Sequence, residues 1–264
     1  MSRADATRPL LSLRDVTVQY RTRQHLVTAA FGISFDVEAG ERVILLGPSG
    51  CGKSTLLKTI GGFIRPVEGE IRLSDRPIAG PGPDRMMVFQ EFDQLLPWKT
   101  VEENVAFPLQ VAGLHSGKAA RDVAVEAIEK VGLAKFRTLY PHMLSGGMKQ
   151  RVAIARALAT KPKILLMDEP FAALDGLTRQ RMQQEVLRLW EDLNLTIIFV
   201  THSVEEALIV GSRIIVLCPH PGQVKAEFNA AAAGSAHFPR DAFPQLQERL
   251  NAHLFEEETM GAGA

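Results

Sequence analysis

The chain has 264 residues, with 30 acidic side chains against 30 basic ones. That is long enough for one broad α/β domain or a main domain with a smaller insertion, and the charge balance argues against a surface that coats nucleic acid or membrane. The two cysteines, Cys51 and Cys218, make no disulfide framework and fit a reducing compartment. The longest apolar runs, at 164–167, 197–200 and 214–218, fall far short of the roughly 20 residues that span a bilayer.

Residues 1–10 read as a cytoplasmic tail, since they lack the apolar stretch of a signal peptide. From 11 to 37 the sequence alternates, with Val16, Val18 and Tyr20 on one face and Ile33, Phe35 and Val37 on a later segment, which predicts half-buried antiparallel strands. Tyr20 precedes the polar stretch RTRQH, where an aromatic ring can pack on the rim or stack on a purine.

The run Val43, Ile44, Leu45, Leu46 then feeds GPSGCGKST, comprising Gly47, Pro48, Ser49, Gly50, Cys51, Gly52, Lys53, Ser54 and Thr55. A buried strand, a glycine-rich turn and a helix start form the setting of a phosphate-binding loop. The glycines let backbone N–H groups curl around phosphates at the positive end of the helix. Lys53 can reach the outer phosphates, and the Ser54 hydroxyl can hold Mg²⁺.

A stop at Gly61 and Gly62, a short segment at 71–73 and a loop rich in Gly and Pro lead to a buried strand at 87–89. Gln90 stands at its end, where α/β sheets place their ligands, and can touch the metal or the attacking water. From 91 to about 155 the pattern predicts a helical insertion, with a helix opening at Ser116 and closing at Gly132. Leu95, Leu96, Pro97 and Trp98 form either its small core or an exposed patch that holds a partner.

The stretch LSGGMKQR places Ser145 as the cap of an alanine-rich helix, with Gly146 and Gly147 opening the backbone as a second anion site. In KILLMDEP, Asp168 and Glu169 end an apolar strand, and two adjacent carboxylates there make sense beside a cation. Asp168 is the candidate Mg²⁺ ligand and Glu169 the general base for water. A helix over about 178–193 leads to a strand that ends in Thr201 and His202, so a third strand brings a polar residue to an edge. Beyond Gln223 the pattern fades; the segment NAAAAGSA at 229–236 reads as a low-complexity linker, and Phe243, Leu246, Leu250 and Leu254 predict one short amphipathic helix. The terminal GAGA is expected to be disordered.

Taken as a set, GPSGCGKST, Gln90, LSGGMKQR, ILLMDEP, Ala173-Leu174-Asp175 and His202 resemble the ATP-binding cassette family, in that family's order and across nearly the whole chain. The resemblance implies a P-loop, RecA-like α/β core with an antiparallel β subdomain and an inserted helical subdomain. The ATPase domain would cover 11–222 and a C-terminal extension 223–264. Lys53 would then lie in Walker A, Asp168 in Walker B and Gln90 in the Q-loop. Glu169 would be the catalytic base, His202 the switch histidine, Asp175 the D-loop residue and Tyr20 the ring that stacks on adenine. Ser145, Gly146 and Gly147 would belong to the signature, with Met148 replacing the family's commoner glutamine. ATP and Mg²⁺ are the implied ligands, and a second copy paired head to tail would cover each nucleotide.

The region 80–110 is similar to the nitrate, sulfonate and taurine importers. That implies integral membrane permease partners, an indirectly coupled solute-binding protein, a place on the cytoplasmic face of the inner membrane and no nucleic acid. The rival readings are a soluble cassette ATPase without a transport role, which usually carries two motif sets or a coiled-coil insertion, a small-molecule P-loop kinase, in which LSGGMKQR has no place, and a pure scaffold.

Overall fold

The computed structural model describes residues 8–21, 25–90, 94–219, 221–230 and 242–255. The chain forms two compact units, residues 1–81 with 198–264, and residues 82–197.

The first unit opens with an antiparallel layer. Strand β1 (Leu11–Arg21) pairs with β2 (Leu26–Val37) and with β4 (Glu68–Leu73), which in turn carries the short β5 (Arg76–Pro77). Ile33, Phe35 and Val37 point inward as their alternation requires. In β1 the alternation breaks at register shifts around Val16 and Val18, so Val16, Thr17 and Val18 are all buried and Tyr20 comes out half exposed.

Strand β3 (Arg42–Leu46) runs parallel to β9 (Arg213–Cys218) and is buried along its length, as a strand covered on both faces must be. Its other neighbour is β8 (Thr196–Thr201), most of which belongs to this unit. Helix α1 (Lys53–Ile60) follows β3 and stops at Gly61. Helix α6 (Val204–Val210) follows β8.

Past residue 222, where the sequence pattern fades, the chain makes strand β10 (Gln223–Asn229), antiparallel to β9, and most of the linker read at 229–236 lies outside the described residues. Only Phe228 of that strand is buried, which is why its periodicity is faint. The amphipathic helix does form as α7 (Ala242–Phe255). It buries Leu250, receives a 2.8 Å hydrogen bond from Lys225 Nζ at the carbonyl of His253, and sets Arg249 over the Phe228 ring. The terminal GAGA lies outside the described residues.

In the second unit β6 (Arg85–Val88) and β7 (Ile164–Asp168) run parallel, with Val88 level with Met167. The helices are α2 (Val101–Val111), α3 (Gly117–Lys130), α4 (Gly146–Ala159) and α5 (Gly176–Leu193). Helix α2 has no counterpart in the sequence reading. It begins at a capping box, Thr100 with Glu103, and it accommodates Pro108 within its length. Fully buried Asn104, on α2, holds the preceding loop. Its Oδ1 accepts from the Leu96 amide at 2.8 Å, and its Nδ2 donates to the carbonyls of Leu96, Lys99 and Thr100. That loop divides the apolar cluster, with Leu95 3% exposed and Trp98 70% exposed.

Candidate active site

In the first unit the loop between β3 and α1 is shaped by Gly50 and Gly52, whose φ angles of 83° and 86° L side chains rarely adopt. Lys53 is buried, and its Nζ donates at 2.8 Å to the carbonyls of Gly47 and Pro48, so the loop curls around the lysine head. Cys51 is buried beneath it, with Sγ 3.8 Å from Lys53 Nζ. Burial pushes the Cys51 thiol up in pKa, against the pull of Lys53. It is therefore a packed thiol rather than a reactive one. Ser54 and Thr55 lie half-buried at the start of α1, Ser49 is exposed at the loop's crest, and Tyr20 stands at the end of β1.

His202 is exposed in the turn between β8 and α6, which has its own brace. Buried Thr201 donates its hydroxyl to Glu206 Oε2 at 2.7 Å and accepts from the Ser203 amide, while Ser203 caps α6.

In the second unit the parallel pairing of β6 and β7 brings Gln90 and the pair Asp168 and Glu169 to the same sheet edge. Asp168 is buried. Glu169 turns into the left-handed region at φ 42°, a conformation that costs a non-glycine residue about 1–2 kcal/mol and that concentrates at functional sites. Two residues that carry no motif organise the Gln90 segment. The Gln94 side chain accepts from the Phe89 amide and donates to the Phe89 carbonyl. Arg156, from α4, donates to the Gln94 carbonyl at 2.6 Å. Sequence reasoning missed both, because Arg156 and Gln94 lie 62 positions apart.

The LSGGMKQR segment and Asp175 come together as two neighbouring helix starts. Ser145 caps α4 by accepting from the Met148 amide, so the cap uses the backbone of Met148 and is indifferent to its side chain. Asp175 caps α5 by accepting from the Thr178 amide, and this hydrogen bond draws its carboxyl below the usual range. A Cβ on Gly147 would lie 2.9 Å from Thr178 Cγ2, so the glycine is what lets the two helix starts approach. Gly146 is the first residue of α4.

A glycine loop closing on a buried lysine, between a parallel strand and a helix, defines a P-loop nucleotide-binding protein of the α/β class. The sequence profile of the ABC transporter family matches residues 31–172. The taurine import ATP-binding protein TauB of Rhizobium johnstonii is 46% identical over 241 residues, 88% of this chain and 91% of that protein. Among solved structures, the dimeric post-hydrolysis state of the ATP-binding cassette MJ0796 bound to ADP and Pi superposes with a TM-score of 0.73 at 36% identity, covering 83% of this chain and 98% of that one. CbiO1 from Clostridium perfringens, part of the ABC transporter complex cbiONQ, gives 0.75 at 25% identity over 92% and 94%. The chain belongs to the ABC transporter family, as its ATP-binding, ATP-hydrolysing subunit. Its α/β architecture is the P-loop core with an antiparallel β layer and a helical subdomain.

Proposed function

We propose that the chain powers an importer for a small anionic solute of the taurine, aliphatic sulfonate or nitrate type, as a head-to-tail pair docked on permease subunits at the cytoplasmic face of the membrane. The observation that carries this is the similarity to a taurine import ATP-binding protein along nearly the full length of both chains. A periplasmic or extracellular solute-binding protein would supply the substrate from the other side. The exposed Trp98, presented on a loop pinned by Asn104, supports the permease contact.

In this reading the loop amides and Lys53 hold the β- and γ-phosphates, and Tyr20 stacks on adenine. Ser54 and Asp168 would hold magnesium, with Gln90 beside it or beside the water. A hydroxyl and a buried carboxylate suit a cation that fills its other positions with phosphate and water oxygens. When bound, magnesium supplies charge neutralisation on the phosphates. Glu169 aligns a water and takes its proton as the oxygen attacks the γ-phosphorus and the bridging P–O bond breaks toward ADP. His202 steadies the terminal phosphate. Ser145 and Gly147 of the second copy close over the nucleotide, helped by the α4 N-terminus, and Asp175 lines the same seam.

The test is purification of tagged chain from gently solubilised membranes, with ATP turnover measured with and without the bound proteins. A multi-span permease that raises turnover, and a Trp98→Ser variant that hydrolyses ATP alone but loses the stimulation, is the expected result. An unaccompanied chain fully active in the soluble fraction would favour the soluble cassette ATPase instead.

A further inference from the structure

The phosphate loop is seated from below by the hairpin of β9 and β10. At one end, a Cβ on Gly47 would lie 2.7 Å from the Leu217 carbonyl oxygen in β9. At the other end, a Cβ on Gly222, at the entry to β10, would overlap the carbonyl oxygen of Cys51 and lie 2.9 Å from that of Ala29. A Cβ on Gly52 would overlap the same Ala29 carbonyl. Hydrogen bonds fix this crossing. The Gly222 amide donates to Ala29 at 3.1 Å, and the Phe31 amide donates to Gly222 at 2.9 Å.

Gly222 lies outside the left-handed region, so its backbone angle does not demand glycine. The demand is spatial, and what fills the space is the backbone of the phosphate loop. Backbone cannot swing aside as the end of a side chain can. The far side of the hairpin is tied down by α7, through Lys225 to the His253 carbonyl and through Phe228 against Arg249 and His253.

We infer that Gly222 is a positioning residue for ATP binding, and that the entry to β10 at Gly222, anchored by the C-terminal helix, sets the curvature of the phosphate loop. This assigns the C-terminal segment a role in nucleotide affinity. The inference rests on the reading that the loop holds the phosphates. It goes beyond that reading because Gly222 belongs to no nucleotide motif.

The experiment measures ATP equilibrium binding, KM and kcat for Gly222→Ala in the full chain, with Gly80→Ala as the control glycine, whose Cβ would meet open space. The expected result for Gly222→Ala is a dissociation constant and KM for ATP raised about tenfold or more. Its kcat at saturating ATP should stay close to that of Gly80→Ala. A folded Gly222→Ala protein with parental ATP affinity overturns the inference.

Should that variant not fold, amide hydrogen exchange on the parent decides the matter. ADP should slow exchange at Gly222 together with the loop 47–55, although Gly222 is not proposed to touch nucleotide. Slowing confined to the loop sinks the brace. Lys53→Ala separates the two ideas, because undiminished ATP affinity there would remove the phosphate-loop reading itself.

Discussion

Arg151 and Glu185 form a 2.9 Å ion pair between helix α4 and helix α5, beside a contact from Arg151 Nε to the sulfur of Met182. Burial raises the Glu185 pKa by more than the Arg151 charge lowers it, so the net shift is upward. The folded chain therefore keeps a proton that the unfolded chain has released. Over the window from the ordinary glutamate value up to the raised one, stability must fall as pH rises. Glu185→Gln removes this slope. Denaturant unfolding from about pH 4 to 7 should show the parent losing stability relative to Glu185→Gln as pH increases. A parallel pair of curves would contradict the assignment.

Gly147→Ala should push α4 away from Thr178, whose amide caps onto Asp175. About a tenfold loss of ATP turnover, near 1.4 kcal/mol, is expected. The obstructing atom is the Thr178 methyl, so adding Thr178→Ser should restore much of the activity. Failure of the double variant to recover would place the cost of Gly147→Ala elsewhere.

Asn104→Ala leaves the Leu96, Lys99 and Thr100 backbone without its buried partner. Destabilisation of about 1–3 kcal/mol is expected, with faster exchange of the 96–100 amides. Turnover of the isolated chain should change far less than its stimulation by membrane partners.

Glu169→Gln should bind ATP as the parent does and hydrolyse it about 10²–10⁴-fold more slowly, the span typical of losing positioned proton transfer. The accompanying sign is a nucleotide-bound dimer on size-exclusion chromatography. Parental turnover would remove Glu169 as the base.

The buried parallel strands were legible because both faces are covered, so β3, β7 and β8 appear as uninterrupted apolar runs. The places of Lys53 at the head of α1 and of Asp168 at the end of β7 were legible for a related reason, since each follows a local strand-to-helix or strand-to-turn pattern. What stayed hidden depends on remote contacts. Strand β10 buries only Phe228, α2 was masked by Pro108, and Tyr20 was displaced by bulges that no alternation count shows. Gln94, Arg156, Asn104 and Gly222 are ordinary letters in sequence. Their partners become visible only when the chain is folded.

The exposed loop at Trp98 gives the protein a built-in optical reporter. The chain has two tryptophans, and the other, Trp190, is half-buried on α5. The solvated indole of Trp98 should therefore dominate the red edge of the emission and be the one that iodide quenches. Any partner that settles on that loop would shift the emission to the blue and shield it, so docking can be followed on unlabelled protein as it happens.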